Sequence, residues 1–347
     1  MEAKQNSGAI RFIDLFCGVG GFRVATKMVC EEKSMESICV FSSDVDPDAQ
    51  NTYEANFGEK PAGDITKISA KDIPDHDLLL AGFPCQPFSI IGNMNGFEDA
   101  RGTLFFDIAR ILEEKKPKAF ILENVKQLKG HKYGQTLKRI IETLTDLGYY
   151  VDFRILNALD FGVPQKRERI FIVGFREPKY FVWAKGEVPM KPLSEILEDD
   201  VRDFYYASEK IKGNRIDKRK GKKQHDEITI WHENKGGNIS AYPYSCALRA
   251  GASYNYLLVN GERRLTEREM YRLQGFPDSY KIVSSYQVTR KQTGNSVAVP
   301  VVAAVIRSVL DALEQEEVPL EEFVSTTIGQ LSFVFEKSEV KYLKNTR

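Results

Sequence analysis

The sequence predicts an α/β fold: a doubly wound, mostly parallel sheet with helices on both faces, joined to a smaller loop-rich part. Three observations carry this. From residue 10 to about 186, short apolar runs of strand character alternate with stretches of helical spacing, as in successive βα units. The first run breaks at the glycine turn Cys17-Gly18-Val19-Gly20-Gly21 and a helix follows, an order that lets a ligand approach the backbone at a helix N-terminus. Beyond about 186 the alternation stops.

Taken in order, the first strand covers Ile10 to Phe16 and the first helix Phe22 to Glu32. The glycine spacing departs from the dinucleotide fingerprint, because Arg23 stands where the third glycine of G-x-G-x-x-G would fall. A second strand, Ile38 to Ser42, ends at Asp44 and Asp46, the distance at which an acidic residue grips ribose hydroxyls in such folds. Carboxylates at strand ends also serve as turn residues, so Asp44 has two readings here. A helix over Asp48 to Asn56, Asp64 after Gly63, a strand at 77 to 83 and a helix over Thr103 to Glu114 come next. The strand starting at Ala119 closes with Glu123-Asn124-Val125, which puts a carboxylate at the same sheet edge as Cys85. A helix from Gly134 to Leu147 and strands at Tyr150 to Leu156 and Ile170 to Val173 complete the sheet, with Gln165-Lys166-Arg167-Glu168-Arg169 between the last two.

Cys85 is the sharpest feature. A cysteine at an arbitrary position is more often a small buried hydrophobe than a nucleophile. Here Pro84 fixes the chain direction, the preceding run Leu78-Leu79-Leu80 ends where open α/β sheets place their chemistry, and Gly92, Gly96 and Gly102 follow in what reads as a lid. Cys85 is therefore the candidate nucleophile.

Beyond 186, positions 209 to 223 hold eight Lys or Arg against two acids. Trp231, Tyr242, Tyr244, Tyr254 and Tyr256 follow, interleaved with Asn238, Arg249 and Asn255. Basic, aromatic and amide side chains in a loop-rich segment suit base edges and phosphates, and a solvated tether is the alternative for the charged run. A helix over Arg263 to Leu273, a polar link, Gly294-Asn295-Ser296-Val297 and an apolar helix from Val299 to about Leu313 complete the reading.

Over all 347 residues, Lys plus Arg and Asp plus Glu number 49 each, so any case for a nucleic-acid partner must be local. Five cysteines without a C-x-x-C pair and four scattered histidines offer neither a zinc site nor a disulfide framework, which fits a reducing cytoplasm and no metal. No secretory signal and no apolar run near the roughly 20 residues of a membrane span are expected.

Six blocks in fixed order carry a resemblance: FIDLFCGVGGF at 12 to 22, GFPCQPFS at 82 to 89, ENV at 123 to 125, QKRERIFIVG at 165 to 174, RRLTEREMYRLQGFP at 263 to 277 and GNSV at 294 to 297. Together they resemble the bacterial cytosine-5 DNA methyltransferases. The resemblance implies a Rossmann-like fold of the S-adenosylmethionine-dependent class, with a catalytic domain over 1–190, a target-recognition domain over 191–280 and a return to the catalytic domain over 281–347. It implies S-adenosylmethionine as cofactor, no metal, double-stranded DNA as partner, a monomer, a cytoplasmic enzyme at the nucleoid when on DNA, and a possible cognate restriction endonuclease.

Residue by residue, the resemblance gives Cys85 addition to cytosine C6, Glu123 the contact to N3 and the exocyclic amine, Arg169 the O2, and Arg167 a supporting place. Phe16, Gly18, Gly20 and Phe22 would line the methionine and adenine pocket, Asp44 the ribose, Asp64 the adenine amine, with Asn295 and Ser296 closing the pocket. Ser89, Arg101, Arg249 and Tyr254 are the candidate DNA contacts. Val45 stands where one member of the family stacks a tryptophan on adenine, Cys17 replaces a usual alanine or serine, and Ala247-Leu248 replaces a common Thr-Leu pair. Three rival readings are an RNA cytosine methyltransferase, which tends to lack a large variable segment, a DNA-binding protein with a dead site, and an NAD-dependent oxidoreductase.

Overall fold

The computed structural model describes residues 8–84, 104–219 and 227–315. Strands β1 (Ile10–Leu15), β2 (Ser37–Ser43), β3 (Leu78–Gly82), β4 (Ala119–Val125), β5 (Tyr150–Asn157) and β7 (Glu168–Phe175) form one sheet in the order β2-β1-β3-β4-β7-β5. β1 to β4 pair in parallel, and β7 runs antiparallel to both of its neighbours. Helices α1 (Gly21–Glu32), α2 (Pro47–Phe57), α3 (Leu104–Lys115) and α4 (Gln135–Asp146) connect the strands.

The strands read as continuous apolar runs because both faces of the sheet are covered. Their period of two then sorts side chains between two cores. Phe12, Leu78, Leu80 and Ile121 point to one face, where Val29 of α1 and Val302, Val305 and Val309 of α8 (Val299–Glu314) pack. Ile13, Leu79, Phe120 and Leu122 point to the other, against Ile108 and Leu112 of α3 and Ile140 and Leu144 of α4. The chain leaves β1 toward β2 on one side and returns with β3 on the other. The crevice beyond the carboxyl ends of β1 and β3 is thus a topological switch point, where open α/β sheets bind ligands.

The part beyond 186 holds more regular structure than its sequence suggests. β8 (Ile230–Glu233), β9 (Ile239–Tyr242) and β11 (Leu257–Val259) form an antiparallel sheet in the order β11-β8-β9. These strands are only three or four residues long, too short for alternation to show. The basic run begins with a helix, α5 (Glu209–Arg219), in which Arg215 is 3% exposed and donates to Glu233 and to the Asn255 carbonyl. α6 (Glu267–Arg272) is shorter than expected, since Thr266 and Glu269 close a capping box at its start. Leu193, Ile230, Leu257, Leu265, Met270 and Leu273 form a third core under this part.

Two features join it to the main sheet. β6 (Gln165–Lys166) pairs in parallel with β10 (Ser245–Cys246), and the Gln165 amide, fully buried, donates to Leu273 O while accepting from Leu248 N. The polar link before GNSV is a helix, α7 (Tyr286–Asn295). The stretch 286–314 meets the length and apolarity of a membrane-crossing helix by composition, which qualifies the sequence expectation. It is two helices broken at 296–298, and 67% of its apolar window is buried inside the protein.

Candidate active site

One open cavity of about 660 Å³ lies at the switch point. Its walls come from the turn after β1 (Phe16, Gly18, Val19), the corner after β2 (Asp44 to Pro47), the ends of β3 (Gly82 to Pro84) and β4 (Glu123 to Val125), β7 (Arg169) with Arg167 just before it, and α7 with its exit (Lys291 to Ser296). Six segments spread along the sequence thus share one space sized for a nucleoside or a drug-sized molecule.

The glycine turn is built on left-handed backbone. Gly18 has φ +53° and Gly20 φ +79°, and a Cβ on Gly20 would lie 2.3 Å from the Phe57 ring. Asp44 holds the turn from across the crevice, accepting from Gly18 N at 2.8 Å and from Asp46 N at 2.8 Å. Burial pushes its carboxyl up despite these amides. A half-buried carboxylate in a cavity wall, with lone pairs left over, suits a hydroxyl-bearing ligand such as ribose.

At the neighbouring strand ends, Glu123 is 8% exposed and its Oε1 lies 3.0 Å from Arg169 Nε. Burial raises its carboxyl pKa, and the guanidinium groups of Arg169 and Arg167 oppose that rise without cancelling it. Gly82 keeps the floor low: a Cβ there would sit 3.5 Å from the Phe22 ring and 3.7 Å from Glu123 Oε2. Asn124, 2% exposed, donates from Nδ2 to Phe83 O at 2.9 Å, which fixes β4 to the chain two residues before Cys85. Cys85 itself, Ser89, Arg101 and the expected lid at 90–101 lie outside the described residues.

Arg167 faces the same cavity, yet its guanidinium is occupied. It donates to Leu248 O at 3.2 Å, to Gly294 O at 3.3 Å and to Ser296 O, binding the loop-rich part and the exit of α7 to the sheet edge. Burial pushes this guanidinium down to about 9, the nearby Arg169 adding to the effect.

Of the expected cofactor residues, Phe16, Gly18, Asp44, Asn295 and Ser296 line the cavity. Gly20 and Phe22 are buried behind it, and Asp64 is turned to Thr66 N and Thr66 Oγ1 as the cap of a short 3₁₀ turn. Cys17 is buried, and burial, with Asp14 adding to it, raises its thiol well above the usual range, as suits a filler. Arg249 and Tyr254 stand apart from the cavity along a narrow crevice with Arg264, Tyr286 and Arg290. There the Arg249 guanidinium lies 4.8 Å from the Tyr256 ring centroid and that of Arg290 4.2 Å from Tyr254. Lys291 and Gln292 were not anticipated; the one sequence signal was Ser285, which caps α7 by accepting from Val288 N.

A switch-point cavity whose walls bring a buried acid together with a glycine turn is the plan of a Rossmann-like methyltransferase. The chain aligns with the crystal structure of S. pombe Dnmt2 methyltransferase at a TM-score of 0.64 and 23% identity, over 88% of this chain and 100% of that one, which shows the shared fold. The chain belongs to the C-5 cytosine-specific DNA methylases, the family whose model matches residues 10–311. It is 57% identical to the type II methyltransferase M.NgoBI of Neisseria gonorrhoeae over 84% of this chain and 90% of that protein. It is 42% identical to the type II methyltransferase M.HhaI of Haemophilus parahaemolyticus over 87% and 94% respectively. The protein is thus a DNA cytosine-5 methyltransferase, and S-adenosylmethionine is the methyl donor of its family.

Proposed function

We propose that this enzyme is a type II modification methylase that methylates one cytosine in a short duplex site, with Cys85 as nucleophile and Glu123 as proton donor. The single observation that carries the reading is the buried Glu123–Arg169 pair at the β4 end, in one cavity with Pro84 and Asp44.

The chemistry asks for these groups. Cytosine C5 is a poor nucleophile until a thiolate adds at C6, and the addition loads electron density onto N3. Glu123, whose carboxyl burial makes easier to protonate, can in its protonated form donate a hydrogen bond or a proton to N3 as that density builds. Arg169, held against Glu123, has its remaining N–H groups for O2. Arg167, beside them in the same cavity wall, ties Leu248, Gly294 and Ser296 to the sheet edge through their carbonyls. S-Adenosylmethionine, when bound, would supply an electrophilic methyl on a sulfonium and leave as S-adenosylhomocysteine; loss of the C5 proton and elimination of the Cys85 thiolate from C6 then restore the ring and the enzyme. Asp44 would take the cofactor's ribose, Phe16 and Gly18 its neighbouring wall, and Asn295 and Ser296 the opposite side; Gly20 and Phe22 would act from behind, by shaping the turn. A duplex cytosine is shielded by stacking, so the base must swing out to reach this depth.

The division into a catalytic domain (1–190), a recognition domain (191–280) and a return (281–347) is supported by the separate third core and by the packing of α8 on α1. Arg249 and Tyr254 lie on the recognition side, and we assign them, with Ser89 and Arg101, to DNA contact. We further propose a monomer, a cytoplasmic location on the bacterial nucleoid and, from the type II designation of its relatives, a cognate endonuclease at the same site. Cys85→Ala tests the nucleophile: methyl transfer should vanish while duplex binding by gel shift persists, and equal loss of both would make Cys85 structural.

A further inference from the structure

Among the described residues, the cavity wall carries three cations. Arg167 donates to three main-chain carbonyls, and Arg169 holds Glu123 with N–H groups assigned to the base. The third, Lys291, stands on α7 at the rim, with Nζ 2.7 Å from Asp46 Oδ2 and its side chain 53% exposed. Asp46 is two residues from the proposed ribose ligand Asp44, to which its own N–H donates. Between them Val45 is 67% exposed and lines the cavity with little area to cover a base.

α7 is fastened to this corner twice. Gln292, 4% exposed, donates to Asp48 O at 3.0 Å and to Thr52 Oγ1 at 2.9 Å, which fixes the helix from inside. The Lys291–Asp46 pair is therefore not needed to hold α7, and it spans the cavity rim beside Asp44 and Val45. We propose that Lys291 and Asp46 form a clasp over the nucleoside end of the cofactor, slowing its release where Val45 gives little stacking. This rests on the reading of the cavity as the S-adenosylmethionine site. The pair is exposed at the rim, which makes retention sensitive to salt.

The test measures the affinity and release rate of S-adenosylhomocysteine by calorimetry and stopped flow. Lys291→Met keeps the stem without the charge, and Asp46→Asn keeps the cap that Asp46 gives Asp48 N. Each should release the ligand about 1.5- to 5-fold faster than wild type, the range of one exposed ion pair. The double variant should be no faster than either single one. Wild-type affinity should fall between about 0.05 and 0.5 M salt, and that of the variants should stay flat. Asp44→Ala separates the two readings. If it leaves affinity unchanged, the cavity is not the cofactor site. If it weakens binding while Lys291→Met and Asp46→Asn release the ligand like wild type at every salt concentration, the clasp alone is overturned.

Discussion

Asp14 lies on β1 with no exposure, and neither of its carboxylate oxygens is hydrogen-bonded. Burial, opposed by Arg23 and reinforced by Asp44, raises its carboxyl from 3.8 to about 8. A carboxyl raised in the folded state holds its proton more tightly there than in the unfolded chain. The stability it contributes is thus full below pH 3.8 and is lost as pH climbs toward about 8. Asp14→Asn stays neutral and removes that slope. Its melting midpoint should exceed wild type most at alkaline pH, the gap growing by at most about 1.4 kcal/mol per pH unit. Thermal melts across that range check this, and a pH-independent gap would refute it. Glu123 is raised by burial in the same sense, so turnover at saturating substrate should decline as pH rises and its proton is lost. Glu123→Gln should cut kcat by about 10²- to 10⁴-fold and leave the DNA dissociation constant within a few-fold. A loss in DNA affinity of the same size would make Glu123 a binding residue instead.

At the scale of elements, α7 connects what the sequence keeps apart. Arg290 donates to Ala252 O and Ser253 O and shapes the turn before Tyr254, Lys291 reaches Asp46, and Gly294 packs against the chain at Arg249 and Ala250. A Cβ on Gly294 would lie 2.3 Å from Ala250 N, a backbone atom that cannot turn aside. Gly294→Ala should therefore weaken duplex binding and S-adenosylhomocysteine binding together, in paired titrations, and loss of only one would break the proposed link. The helix was illegible for a physical reason. Its buried side is Thr289, Arg290, Gln292 and Thr293, polar groups satisfied by hydrogen bonds, so no apolar period marks it. The opposite holds for β3, where Leu78-Leu79-Leu80-Ala81 is fully buried and the strand is plain in the sequence.

For the whole molecule, legibility follows the same division. The doubly wound sheet could be read because apolar runs buried on both faces need no partner to identify them. The placing of Glu123 beside the strand that leads toward Cys85 could be read too, since β3 and β4 are adjacent and parallel, with Gly82 paired to Glu123. The part beyond 186 could not, because its strands are short and its burial depends on pairings such as β6 with β10 and on the Arg167 bridge. The full account is tested most directly by offering labelled S-adenosylmethionine with unmethylated duplex DNA and, separately, with tRNA, then mapping the modified base. It predicts label on C5 of one cytosine within a single short duplex site, and none with Cys85→Ala. Label in tRNA alone, or on duplex DNA without dependence on Cys85, would contradict it.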